Sequence, residues 1–541
     1  MRLIYLTLPI VIRFQSIMQT QLINGTLVYL PHSIDEVKDL LRQAKQSSQT
    51  VSVRGSGHSF PLTDQTATAA GCLHIMLSYL NAVSLDKTTG LVTVQAGCHL
   101  GLDPFDPTGV STTENSLCYQ LDPLDKDGRR QSPPGWALPD LGGITHQTIG
   151  GFMATGSSGG STKFAFEDAL RSVRVVYYGE TDVADRLFER PADNNPDDPF
   201  FGAAFASMGL MGIVVEATYQ CIPAFNISGS EQTFQQDECA LVDFFGPGNA
   251  STPSLQRFME ATDYTRLMWW PQAAEQQIVI WQASRTDASE NWQTFVPKPY
   301  LEVPYIVGSQ EFAEWLAGKL FEIVDRLPFF LGQLFALWFD TDSPSYKEIL
   351  AKLETLQDSM LRMILRFFVT TGEDQAFSDT WWNGLPMDNQ MSDKLFPVWF
   401  TELWIPIDQT QAAMNFLRTF YKDPENAGIF SAELYAAKAS NFWLSPAYKT
   451  DVFRIDVFWF GLNEENPVDY YNRFWTALPA AGFDFRPHWG KYLPDPNGPQ
   501  GTTYLRSQYP RWEQFMALRQ QMDPHNLFVT PYWQRNLGLG S

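Results

Sequence analysis

Residues 51–60 read VSVRGSGHSF, with the imidazole of His58 held between Gly57 and Ser59 directly after a β-favouring run. Two more glycine clusters, LGGITHQTIGGFMATGSSGGS (141–161) and GLMGIV (209–214), also sit beside β-favouring residues. Glycine lets a backbone approach a ligand closely and offers N–H donors with no side chain in the way, which is what a phosphate-bearing ligand needs. The same residues also make ordinary tight turns, so no single cluster decides the matter. Farther along, RIDVFW places Arg454, Asp456 and Phe458 on one face of a strand, and RPHWGK supplies His488 and Lys491.

Short strands and helices must carry these residues. GTLVYLP, QTVSVRG, LVTVQAG (91–97) and ALRSVRVVYYGE (169–180) read as strands. SIDEVKDLLRQAKQ reads as a helix, with a serine ahead of acidic residues and Ile34, Val37, Leu40 and Leu41 at helical spacing. Together they predict an α/β or α+β domain rich in short strands. No GxGxxG lies between a strand and a helix in a βαβ setting, so a Rossmann dinucleotide site is not indicated. From about Phe225 the texture changes to longer helices such as 345–368 and aromatic strands such as DVFRIDVFWF (451–460), and the last sixty or so residues return to short Gly, Pro and His motifs. This order predicts an outer domain (18–224) whose second part is 486–541, with a middle domain at 225–485.

Composition narrows the function. A chain of 541 residues is long for a single core. A net charge of −22 repels phosphate backbones and anionic lipid surfaces, which sets nucleic-acid binding aside. Five cysteines lack CxxC or Cys/His ligand spacing, so no metal site is expected; core thiols and at most two disulfides both fit. Residues 1–17 contain an apolar run too short to span a bilayer, and a signal-peptide core or an upstream extension fits it. No integral membrane segment is expected. N-x-S/T sites at Asn24, Asn226 and Asn249 fit secretion, and a soluble intracellular location stays open.

Taken in order, RGSGHSF, the 141–161 segment, GLMGIV, RPHWGK and MDPHNLFVTPYW (522–533) resemble the vanillyl-alcohol-oxidase type of FAD enzymes. Among these the chain looks most like the aldonolactone and sugar-alcohol oxidases. The resemblance implies an α+β fold: a bipartite FAD-binding domain with an inserted α+β substrate domain built on an antiparallel sheet. It implies FAD bound covalently through His58, with Arg54, Gly55, Ser56, Gly57, Ser59, Gly142, Gly143, Thr148, Gly151, Thr155, Gly156, Gly159, Gly212 and Ile213 around the cofactor. No Cys stands near the Gly-Gly pair, so a single flavin attachment is expected. Gly142 matches a position that is small in oxidases of the family.

The implied activity is oxidation of a CH–OH donor, a small-molecule alcohol, sugar or lactone, with hydride passing to flavin and electrons to molecular oxygen to give hydrogen peroxide. A dehydrogenase with another acceptor and a degenerate flavin-binding protein are the alternatives. Lys491 and Glu433 match family residues at the substrate, and His488 either contributes or only packs. The substrate shell departs from the family: Tyr435 stands where an Arg is expected, Asp456 and Phe458 where a His and a Thr are, and Gly143 where a Ser is. Fewer polar donors and more aromatic surface suit a substrate with a larger, flatter apolar face, such as a cyclic sugar, a lactone, or an aromatic or steroid-like alcohol. Arg454 either replaces the missing positive charge or is merely ion-paired. Asp523 is expected to cap a turn and Phe528 to anchor the C-terminal segment, with Tyr532 and Arg535 near the flavin or substrate.

Overall fold

The computed structural model describes residues 18–59, 71–272, 275–290, 292–301, 310–369, 372, 374–389, 397–428, 430–463 and 465–540. The expected N-terminal signal or extension therefore lies outside the described residues. Three main sheets organise the chain.

The first has four strands in the order Thr20–Ile23, Thr26–Tyr29, Cys72–Met76, Thr50–Arg54, the last three parallel. Its helix, Ile34–Gln46, begins as its sequence requires, because the Ser33 hydroxyl accepts the Glu36 N–H. Val37, Leu40, Leu41 and Ala44 then bury the face that packs on Val51, Leu73 and Ile75. The second sheet is antiparallel, in the order Val83–Asp86, Leu91–Gln95, Ile213–Gln220, Leu170–Tyr178, Val183–Glu189. All of the strands read from the sequence in this part are present, offset by a residue or two at their ends.

The third sheet is antiparallel with eight strands. Its order is Asp374–Thr380, Phe225–Gln235, Gln277–Asp287, Tyr264–Trp270, Ala432–Ala437, Val452–Phe460, Val398–Pro406, Arg486–Pro487. Strand Val452–Phe460 is buried on both faces, and its alternation explains how. Phe453, Ile455 and Val457 enter a core with Leu267, Leu403, Leu434 and the helices Thr410–Phe420 and Pro467–Ala480, while Arg454, Asp456 and Phe458 face the other way, into a cavity.

Helices Gln310–Ala336 and Pro344–Phe368 pair as a hairpin whose base packs on this sheet. The C-terminal segment returns to the first sheet. Leu527 O accepts the Val51 N–H at 2.7 Å, and Asp523 accepts the Leu527 and Phe528 N–H groups, so Asp523 is the expected turn cap and Phe528 a buried anchor.

All five cysteines are free thiols; Cys98, Cys118 and Cys221 are buried. Asn226 is also buried, its amide oxygen accepting from Arg130, so this N-x-S/T site is inaccessible, in contrast to the exposed Asn24 and Asn249. No helix among the described residues is long and apolar enough to cross a membrane, and no group of His, Cys, Asp or Glu among them is arranged to hold a metal.

Gly160 is the tightest contact between the glycine-rich segment and the third sheet: its carbonyl accepts the Thr265 N–H at 2.8 Å, and a Cβ there would lie 2.1 Å from Thr265 O. Gly160→Ala is expected to cost about 1–3 kcal/mol, as overpacking does. Thermal unfolding of the variant checks this, and an unchanged melting temperature would show that the seam is loose.

Candidate active site

A cavity of ≈ 400 Å³ lies between the glycine-rich segments and the inner face of the third sheet. On one wall the turn after Arg54 is made possible by Gly57, whose φ of +89° favours glycine. Gly55 lets that turn approach the next segment, since a Cβ would lie 2.4 Å from Thr148 Oγ1. Ser56 Oγ donates to His146 O at 2.6 Å, and the His58 ring stands 5.8 Å from that of His146. Thr148 caps the helix Ile149–Thr155 by accepting the Gly151 N–H at 3.2 Å. Gly490 brings the C-terminal loop against this turn, where a Cβ would lie 2.9 Å from Ser59 Oγ. The imidazole is thus set in the wall by backbone geometry on both sides.

The opposite wall is the inner face of four strands. Glu433, Asp456 and Glu402 are register neighbours across three of them. Lys491 Nζ sits 2.6 Å from Glu402 Oε2 and 2.7 Å from Asp456 Oδ2, over the Phe400 ring. Burial pushes the Glu402 carboxyl up, but Arg454 and Lys491 override it and hold it well below the usual range. Asp456 goes the other way: burial, then the charge of Glu402, raise it well above the usual range, and its Oδ2 accepts from both Lys491 Nζ and Tyr435 OH at 2.7 Å. Arg266 pairs with Glu433 and, at 2.8 Å, with Asp388, whose carboxyl is pushed up to about 6 by burial and by Glu433. His488 accepts the Gly490 N–H at Nδ1, 3.1 Å away, and burial pushes it down to about 3, so it is a neutral ring with its proton on Nε2.

All the residues expected around the cofactor line this cavity except Gly156. Gly156 instead closes the helix Ile149–Thr155 as its left-handed C-cap, with φ +71°. Glu433, Tyr435, Arg454, Asp456, Phe458, His488 and Lys491 all line the cavity too. Arg454, however, is not a spare cation. It is buried between the rings of Tyr435 and Trp404, paired with Glu402, and donates to Gly159 O at 2.7 Å, so its charge is committed within the protein. Tyr532 is buried outside the lining, where Thr530 and Trp533 stand, and Arg535 is not among the lining residues either. The sequence reading missed Glu402, Arg266 and Asp388; a lone acid in the aromatic strand VWFTELWIP was the available signal for the first.

The wall fits a polar, phosphate-bearing cofactor. Arg54 Nε, Gln147 Oε1, Asp456 Oδ1 and Thr530 Oγ1 are buried polar atoms of lining residues with no hydrogen-bond partner among the described residues. An unsatisfied guanidinium nitrogen is matched to an anionic oxygen.

The chain is similar in sequence and fold to proteins of known activity. A family model described as "FAD binding domain" matches residues 26–102, and one described as "D-arabinono-1,4-lactone oxidase" matches 341–536. An L-gulonolactone oxidase of Scyliorhinus torazame is 23% identical over 97% of this chain and 98% of its own. An L-gulono-1,4-lactone dehydrogenase of Mycobacterium tuberculosis is 24% identical over 96% and 97%. Among solved structures, a variant of the cholesterol oxidase of Brevibacterium sterolicum superposes with a TM-score of 0.64 over 95% of this chain and 94% of its own at 13% identity, a likeness of fold.

Behind the wall, Asp140 accepts the Gly159 N–H at 3.0 Å and is pushed by burial from its ordinary 3.8 up to about 8. The folded protein therefore keeps a proton that the unfolded chain releases above pH 3.8, so stability falls as pH rises from there to about 8. The slope from this one group is about 1.4 kcal/mol per pH unit. Asp140→Asn keeps the acceptor and removes the titration. Denaturant midpoints measured at mildly acid and mildly alkaline pH are expected to differ less in the variant than in the parent, and equal differences would place the pH dependence elsewhere.

Proposed function

We infer that this chain, similar over residues 26–102 to an FAD binding domain and over 341–536 to D-arabinono-1,4-lactone oxidases, is an FAD-dependent oxidoreductase, an oxidase of CH–OH donors. From that premise we propose that its substrate is a lactone, cyclic sugar or other alcohol with a flat apolar face, that oxygen is its acceptor with hydrogen peroxide as product, and that His58 holds the flavin covalently. The observation that carries this reading is one cavity lined both by the glycine wall bearing His58 and by the sheet face whose Glu402 and Asp456 hold Lys491.

FAD, when bound, supplies the acceptor for the substrate's hydride and passes the electrons on to oxygen. The chain's residues do the rest. Arg54, Gly55, Ser56, Gly57 and Thr148 hold the cofactor's polar groups. Lys491, fixed by Glu402 and Asp456, presents an ammonium to a developing alkoxide or to negative charge on the acceptor. Neutral His488 acts as a donor through Nε2 and orients oxygen atoms rather than carrying charge. Glu433, positioned by Arg266, meets a substrate hydroxyl. Phe400, Phe430 and Phe458 give the ring a stacking surface, and their clustering supports an apolar-faced substrate over an open-chain polyol. Gly142 keeps a small residue on oxygen's approach to the flavin, which favours an oxidase; a Cβ there would lie 3.2 Å from the Phe152 ring.

Anaerobic bleaching of the flavin by lactones, aldoses, polyols, aromatic alcohols and sterols tests the reading. Bleaching by one ring-bearing class, with peroxide formed on admitting air, is the expected result; bleaching by dithionite alone would overturn it. In His58→Ala the yellow colour is expected to leave the protein on acid precipitation, and flavin that stays with the pellet would reject the covalent link. In Lys491→Met, flavin should remain bound while its reduction by substrate slows by roughly 100-fold or more, the scale of a lost charge-stabilising group. Unchanged reduction would remove Lys491 from the chemistry.

A further inference from the structure

The hairpin of Gln310–Ala336 and Pro344–Phe368 changes character along its length. At its base Phe321, Val324, Leu361, Ile364 and Leu365 are buried against Trp270, Phe430 and Phe460. Toward its tip Leu327, Phe330 and Leu334 are exposed, and at the connection Leu337 and Trp338 are 79% and 81% exposed, with Phe339 at 40%. Residues 327–339, between Arg326 and Asp340, contain no charged side chain. An uncharged, mostly apolar run of this length covers about 20 Å as a helix, too short to span a bilayer. Such a run is either a core helix or an interfacial segment, and the exposure of Leu327, Phe330, Leu334, Leu337 and Trp338 sets the core aside.

The tip itself says what covers it. Leu337 N–H donates to Leu334 O, and the Trp338 and Phe339 N–H groups donate to Phe335 O, so the chain keeps turning helically through the connection. Three successive side chains there leave the axis about 100° apart. One flat face of a second protein copy covers a stripe, not a whole turn; an apolar solvent covers every side. Leu and the indole of Trp are also side chains that favour the boundary between headgroups and acyl chains.

We propose that the tip of this hairpin, led by Leu337 and Trp338, inserts into the interface of an electrically neutral lipid bilayer. Neutral headgroups follow from the charge of the chain, −22, and from Asp340 and Asp342 beside the tip, both of which an anionic surface repels. From the buried Phe321 to Phe339 the helix reaches roughly 25 Å. That holds the acidic body beyond the screening length of about 8 Å at physiological salt. The docking is independent of which alcohol the enzyme oxidises.

Flotation of the full flavin-loaded chain with phosphatidylcholine vesicles on a density gradient tests it, beside a Leu337→Asp/Trp338→Asp double variant and a Leu22→Ser control at an exposed apolar residue of the first strand. The parent and the control are expected to float, and the floated fraction of the double variant to fall roughly tenfold or more. Its flavin content and melting temperature should match the parent's. A parent that stays in the dense fraction, or that floats only when phosphatidylserine is added, would overturn the proposal. So would a dimer, seen by sedimentation velocity, that the double variant abolishes, because the patch would then belong to a second copy.

Discussion

Glu402 is a carboxylate with no solvent exposure, and it stays charged only because Arg454 and Lys491 stand on either side of it. Alone in an apolar interior such a charge would cost several kcal/mol, and removing one partner from a buried pair typically costs 3–5 kcal/mol. Neither cation belongs to Glu402 alone. Arg454 also donates to Gly159 O, on the glycine-rich segment, and Lys491 to Asp456, on the next strand. One buried charge therefore ties together two strands of the large sheet, a glycine loop from the first third of the chain and a loop from its last tenth or so. The two walls of the cavity keep their spacing because this cluster does not tolerate a gap.

Strand alternation decided what the sequence could reveal. Arg454, Asp456 and Phe458 share a face because a strand has period two, which is legible in six letters. The glycine segments, the His58 turn, the Asp523 cap and the helices at 34–46 and 345–368 were legible for the same reason: each is set by local chemistry. What was hidden depends on register between strands far apart in the chain. Glu402 meets Asp456 and Arg266 meets Glu433 only after the sheet has formed, and of the two readings open for Arg454, replacement charge or ion-paired residue, the sheet realises the second. Asn226 is hidden for the same kind of reason, since it lies under Arg130, whereas Gly156 closes a helix beside the cavity.

The glycines also turn out to serve two purposes. At Gly55, Gly160 and Gly212 a Cβ would strike another part of the same chain, so these residues let segments of the protein approach one another, and the ligand-facing wall is a product of that approach. A glycine-rich motif read only as a ligand cradle misses half of its physical content. The fit to a cofactor rests instead on the polar atoms left without partners around the cavity, Arg54 foremost.

The cysteines give a last consequence. A thiol is attacked by peroxide as its thiolate, and only where peroxide can reach it. Burial pushes Cys98 and Cys221 up to about 12 and Cys118 well above the usual thiol range, and all three are packed in the core around the second sheet. Peroxide, the product of the proposed oxidase reaction, would meet these central sulfur atoms in a form it scarcely attacks. The packing of the core is thus what keeps these three thiols unreactive.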